Sequence, residues 1–160
     1  MKLYPVPVDL PGRLSIASCP AVATLDTDIV TLKAAGVTLL VSTLPEKDEV
    51  TLGLAAEPSA AKAAGLDFLR IPIADFGVPA DGGGVDDDLR SVLARLSAPS
   101  EHVAVHCLAG MGRSPMIAAA LLVAAGEQPD VAWRMVSTAR RRQVPETPEQ
   151  RGWIQRFARV

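Results

Sequence analysis

The chain has 160 residues, with sixteen Lys and Arg against eighteen Asp and Glu, a net charge of -2 and 49% hydrophobic residues. That balance suits a globular domain with a sizeable core and excludes both a disordered chain and a non-specific nucleic-acid binder. Only two cysteines are present, Cys19 and Cys107, which is no disulfide framework. No Cys/His cluster has zinc-ligand spacing, so neither a metal nor another cofactor is expected, and a reducing compartment is the simple reading.

The N-terminal stretch MKLYPVPVDLPGR is broken by prolines and Asp9 where a signal peptide needs an unbroken apolar segment, and the longest apolar run, PMIAAALLVAAG, is too short to span a bilayer. A soluble, cytoplasmic protein without a membrane partner is therefore expected. RLSIAS reads as the first strand. TLDTDIVTLKAAG reads as a helix capped by Thr or Asp and ended by Gly36. VTLLVST follows as a strand apolar on both faces, as when helices cover both sides of a sheet. Residues 46 to 65 hold one or two short helices, broken near Pro58, and LDFLRIPI is another strand.

ADFGVPADGGGV is then a loop, and its closing aspartates suit the positive end of the next helix, DDDLRSVLARLS. EHVAVHC is a strand. SPMIAAALLVAAG is a helix with Ser114 as cap and Pro115 in its first turn. PDVAWRMVSTARRR is a helix with Val131, Met135, Val136 and Ala139 on one stripe, and TPEQRGWIQRFARV is a last helix capped by Thr147. The alternation predicts an α/β fold over residues 1–160, one domain with a mostly parallel central sheet flanked by helices. The tryptophans, Trp133 and Trp153, are read as helix-packing residues. The sequence does not reveal an oligomeric state, and a monomer is the working expectation.

The chemistry concentrates in HCLAGMGRS, between a strand and a helix. Free amides at a helix start favour an anion, and Gly110 and Gly112 permit the backbone to approach it closely. Five residues separate Cys107 from Arg113, about enough to curl the amides of Leu108, Ala109, Gly110, Met111, Gly112 and Arg113 round one tetrahedral dianion. Arg113 returns a planar fork to two of its oxygens. The same field favours the thiolate form of Cys107. Ser114 can donate a hydrogen bond to that sulfur and improve it as a leaving group, while His106 orders the loop through backbone carbonyls.

These residues resemble the protein tyrosine phosphatase signature: His-Cys, five residues, Arg, then Ser or Thr. The resemblance implies a phosphotyrosine protein phosphatase-like fold and hydrolysis of phosphate monoesters through a phosphocysteine intermediate, with a phosphorylated protein or peptide as partner. An in-line attack by Cys107 needs an acid on the leaving side, supplied by a separate loop and acting as base in the second step. Asp75 in IPIADFGVP is the candidate and Asp81 the rival. IPIADFGVP is similar to the matching segment of dual-specificity phosphatases, its kinase-associated members most of all, in which the upstream-loop Asp is the acid. The closing RRRQVPETPEQRGWIQRF is also similar to that type, which makes Gln150 the residue near the phosphate loop. The type implies a phosphotyrosine site open to phosphoserine and phosphothreonine as well.

Three other readings stand beside it. Lipid phosphatases of the superfamily carry lysines within the loop, as in HCKAGKGR, where this chain has Leu108 and Met111; small phosphate esters remain an alternative substrate. A weakly catalytic phosphoprotein-binding module would not need Cys107, Arg113 and Asp75 together. Sulfur transfer explains the cysteine and not the Asp75 loop. Cys19 has no comparable setting, and a reversible disulfide with Cys107 would require the fold to bring the two sulfurs together.

Overall fold

A computed structural model describes residues 1–82 and 84–158. Five strands form one sheet: β1 (Leu3–Val6), β2 (Arg13–Ala17), β3 (Leu39–Ser42), β4 (Asp67–Arg70) and β5 (His102–His106), in the spatial order β1-β2-β5-β3-β4. Only β1 runs antiparallel, with Leu3 opposite Ala17. The others are parallel, β5 lying between β2 and β3 with Val103 opposite both Leu14 and Leu39.

Among the described residues seven α-helices surround the sheet: α1 (Leu25–Ala34), α2 (Glu46–Thr51), α3 (Glu57–Ala63), α4 (Val85–Leu96), α5 (Arg113–Ala124), α6 (Pro129–Arg140) and α7 (Pro148–Trp153). The side-chain alternation of the central strands divides the core into two layers. Leu39, Val41, Val103 and Val105 face α4, α5 and α6, while Leu40 and Ala104 face α1 and α3. Every residue of β3 and β5 is buried, which explains why these strands read as continuous apolar runs. Among the described residues no helix is long and apolar enough to cross a membrane.

The expected elements are present, with five differences. β1 is an additional strand: as an edge strand it tolerates Pro5, whose missing N–H would disqualify it from the sheet interior. Pro58 does not break the segment 46–65 but sits in the first turn of α3, where its lost N–H costs nothing; the break is at Gly53, whose φ of 72° ends α2. Gly112, not Ser114, is the cap of α5, and Ser114 lies inside the helix with its hydroxyl aimed elsewhere. The buried stripe of α6 is Pro129, Ala132, Trp133 and Val136, leaving Val131, Met135 and Ala139 partly covered. The last helix passes at Ile154 into a 3-10 turn ending at Phe157, and the final two residues of its predicted span lie outside the described residues.

Candidate active site

β5 ends at His106, and residues 107–112 curl from its carboxyl end to the start of α5. In parallel sheets this edge is where crevices form. Cys107 is buried, and its sulfur accepts two hydrogen bonds: the Gly110 N–H at 3.1 Å and the Ser114 hydroxyl at 3.2 Å. Gly110 turns at a φ of 67°, the left-handed region that a side chain resists. Gly112 answers a different demand. A Cβ there would stand 2.8 Å from the Gln150 amide nitrogen and 2.5 Å from a Glu146 carboxylate oxygen, so a larger residue would have to displace the buried Gln150 side chain.

Arg113 is only 4% exposed although it is the first residue of a helix. Its guanidinium donates to the Ile73 carbonyl at 3.3 Å, lies 3.3 Å from the Asp48 carboxylate and 3.2 Å from that of Asp75. Two carboxylates thus offset a cation at the end of a helix that electrostatically disfavours it. Asp48 is held in turn on α2, whose Glu49 is fully buried and bonded to Arg70 of β4 at 3.0 Å.

Asp75 is 56% exposed and accepts the Phe76 N–H at 3.2 Å. Phe76 adopts a φ of 58°, a conformation costing an ordinary side chain about 1–2 kcal/mol. The following residues are pinned from α7: the Gln150 side chain donates to the Gly77 carbonyl at 3.1 Å, and its own backbone N–H bonds the capping Thr147 hydroxyl at 3.1 Å. Gln150 is fully buried and touches the acid-bearing turn on one side and the region of Gly112 on the other. Asp81, the rival carboxylate, is fully exposed and faces Arg156 at 3.9 Å, away from Arg113.

His106 is fully buried. Its Nδ1 lies 3.3 Å from the Cys107 carbonyl and its Nε2 lies 3.0 Å from the equally buried Glu57 carboxylate, although neither Glu57 oxygen accepts a well-aligned hydrogen bond. Beside Cys107 and Arg113 a cleft of about 230 Å³ opens, walled by Leu44, Thr51, Leu52 and Leu108 with Asp48 and Asp75 at its polar side. Leu108 and Phe76 are exposed apolar side chains next in sequence to Cys107 and Asp75. Cys19 is a free, partly buried thiol, pushed up to about 12 by burial and by the charges of Glu57 and Cys107.

The fold thus brings Cys107, Arg113, Ser114, Asp75 and Gln150 into one neighbourhood, together with Asp48 and Glu57, which sequence reasoning missed. Both lie on short helices with no motif around them. For Asp48 the signal was the acidic run of LPEKDEV, which reads equally as a solvated first turn, and Glu57 stands alone in AAEPSA with no signal at all.

Chemically, this is a cysteine sulfur held by two donors, a buried guanidinium beside it, and a carboxyl able to exchange protons with solvent. Residues 9–155 match the family of the Swiss Army Knife protein, DSP-PTPase phosphatase domain. The chain is 34% identical over 141 residues, 86% of its length and 76% of the relative's, to the protein tyrosine phosphatase type IVA 3 of Homo sapiens. Its fold is similar to that of a kinase-associated phosphatase with the catalytic-site cysteine substituted by serine, at a TM-score of 0.86 and 18% identity, covering 98% of this chain and 93% of that one. It is also similar to PTPMT1 in complex with PI(5)P, at a TM-score of 0.70 and 21% identity, covering 90% and 88%.

Proposed function

The chain belongs to the DSP-PTPase phosphatase family, and from that premise we propose that it dephosphorylates phosphotyrosine in proteins, with phosphoserine and phosphothreonine as further substrates, through a phosphocysteine at Cys107. The observation that carries this reading is the pairing of a doubly hydrogen-bonded Cys107 sulfur with an Arg113 fork whose partner is Asp75.

In the first step the Cys107 thiolate attacks phosphorus and an S–P bond forms as the P–O bond to the leaving group breaks. The leaving oxygen takes a proton from Asp75. The phosphoryl dianion and Asp75 repel each other unless that carboxyl carries a proton, and it is this proton the leaving group needs. Arg113 and the amides of residues 108 to 113 hold the equatorial oxygens throughout.

In the second step Asp75 takes a proton from water, water oxygen bonds to phosphorus, and the S–P bond breaks to release inorganic phosphate and the thiolate. The Ser114 hydroxyl stabilises the departing sulfur, and Gln150, between the two loops, orients the water. Leu108 and Met111 supply no extra cation for a second phosphate, which favours a singly phosphorylated site over an inositol phosphate. The wall of Leu44, Leu52 and Leu108 suits the apolar ring of phosphotyrosine.

The test is Cys107→Ser. Hydrolysis of a phosphotyrosine peptide should fall to the uncatalysed level while the peptide still binds, as read by isothermal titration. Turnover undiminished by this substitution would remove the mechanism.

A further inference from the structure

We infer that Arg140, at the end of α6, is a positioning residue of the phosphate loop, and that Tyr4 of the edge strand β1 holds it in place. This rests on the reading of Cys107 as nucleophile. The Arg140 Nε donates to the Gly110 carbonyl at 2.7 Å, and a terminal nitrogen of the same fork reaches the Ala109 carbonyl at 3.4 Å. The guanidinium carbon lies 3.9 Å from the centre of the Tyr4 ring, a stacked cation–π contact.

Peptide planarity turns these contacts into a statement about the sulfur. In a trans peptide the C=O and the following N–H point in opposite directions. The Ala109 carbonyl and the Gly110 N–H are one peptide unit. Arg140 takes its oxygen, and its N–H donates to the Cys107 sulfur at 3.1 Å. The Gly110 carbonyl belongs to the next unit, so its bond to Arg140 turns the Met111 N–H away from α6 as well. One side chain therefore fixes two successive peptides with their carbonyls outward.

A cation on the oxygen also polarises the unit, strengthening the hydrogen bond its N–H gives to the sulfur. Arg140 is then a remote donor to the thiolate, acting through a peptide bond. Loss of the fork would let these peptides rotate, and a carbonyl facing an anion repels it. Gly110, in its left-handed conformation, leaves room for this fork: a Cβ there would lie 3.1 Å from an Arg140 nitrogen.

Tyr4 provides a built-in reporter, because it is the chain's only tyrosine. The Arg140 guanidinium against the ring, with the charges of Lys2 and Arg142, holds its phenol below the ordinary value, against burial. The experiment compares Arg140→Ala and Tyr4→Leu with the parent protein by orthovanadate inhibition, by the pH dependence of kcat/KM and, for Arg140→Ala, by absorbance titration of the tyrosine. Arg140→Ala should move the phenol's titration upward toward its usual range near pH 10, with Lys2 and Arg142 still acting on it. It should lower kcat/KM and vanadate affinity by about 10- to 100-fold, the worth of a hydrogen bond to a charged group. The acidic limb of the pH profile should move to higher pH, since a less stabilised thiolate forms later.

A phenol titration moved upward with unchanged vanadate inhibition and acidic limb overturns the inference. Should Arg140→Ala not fold, Tyr4→Leu, which removes only the ring that holds the fork, decides alone: a weaker shift of the same sign supports the role, and no shift overturns it. The two readings fail differently. Activity that survives Cys107→Ser removes the nucleophile itself, whereas a Cys107-dependent enzyme indifferent to Arg140 and Tyr4 loses only this inference.

Discussion

Asp75 and Asp81 stand on one loop and read alike in the sequence, yet they meet different guanidiniums, a buried one beside Asp75 and a half-exposed one beside Asp81. Asp75 lies 3.2 Å from Arg113, and Asp81 faces Arg156 on the far side of the loop. Asp75→Asn keeps the size and hydrogen bonds of the side chain and removes the exchangeable proton. Turnover should fall by about 10²–10⁴, the usual range for a lost general acid, with a flattened basic limb in the pH–rate profile. Asp81→Asn should leave both unchanged, and steady-state rates across pH for the two proteins would separate them. Cys107 and Arg113 were legible because their spacing is a local property of one loop. Asp48 and Glu57 were not, because a carboxylate on a short helix has no sequence mark that says which cation or imidazole it will meet. Ser114 misled for a related reason: a Ser before Pro is a good helix cap, and only the nearby sulfur gives its hydroxyl a better partner.

At the scale of elements, α5 is the support of the loop 107–112, proposed above to hold the phosphate. Every residue from Arg113 to Val123 is buried, so the helix is apolar all round and has no solvent face. Leu121→Ala would leave a cavity in the core around α5 and should cost about 2–5 kcal/mol, measured by urea unfolding. Such a central helix is easy to read, since MIAAALLVA contains nothing that could face water. α6 was harder: its true stripe runs through Trp133, and a phase set by Val131 and Met135 falls one position away. β1 was hidden for another reason. Pro5 argues against a strand in general, and only the knowledge that β1 is an edge removes the objection.

For the whole molecule, the chemistry lies at the carboxyl ends of the parallel strands and a separate charged network lies at their opposite ends. There the Thr38 hydroxyl donates to Glu101 at 2.6 Å, Arg95 bonds the same carboxylate at 2.9 Å, and Arg95 also pairs with Asp67. The bond from Thr38, aided by Arg95 and opposed by burial, holds the Glu101 carboxyl below its usual range. Its contribution to stability is therefore present above the ordinary carboxylate value and lost as the pH falls through the lowered one. Glu101→Gln should make the decline in melting temperature shallower as the pH falls below the ordinary glutamate value of about 4.3. Calorimetry across this range would show it. Unchanged kcat at neutral pH would confirm that the two ends of the sheet are independent.

Two exposed apolar side chains, Leu108 in the wall of the cleft and Phe76 next to Asp75, have a consequence for how such a protein diversifies. Phe76 is 58% exposed and Leu108 48%, while Cys107 and Arg113 are buried. If the proposed function holds, substrate range and fold are thereby placed under nearly separate selection. A library randomised at Phe76 and Leu108 should retain most of its folded members while their preference among aryl and alkyl phosphates drifts. The same randomisation at Val105 and Ile117, both fully buried, should yield mostly insoluble chains. New leaving groups would be one substitution away, at little risk to the scaffold that does the chemistry.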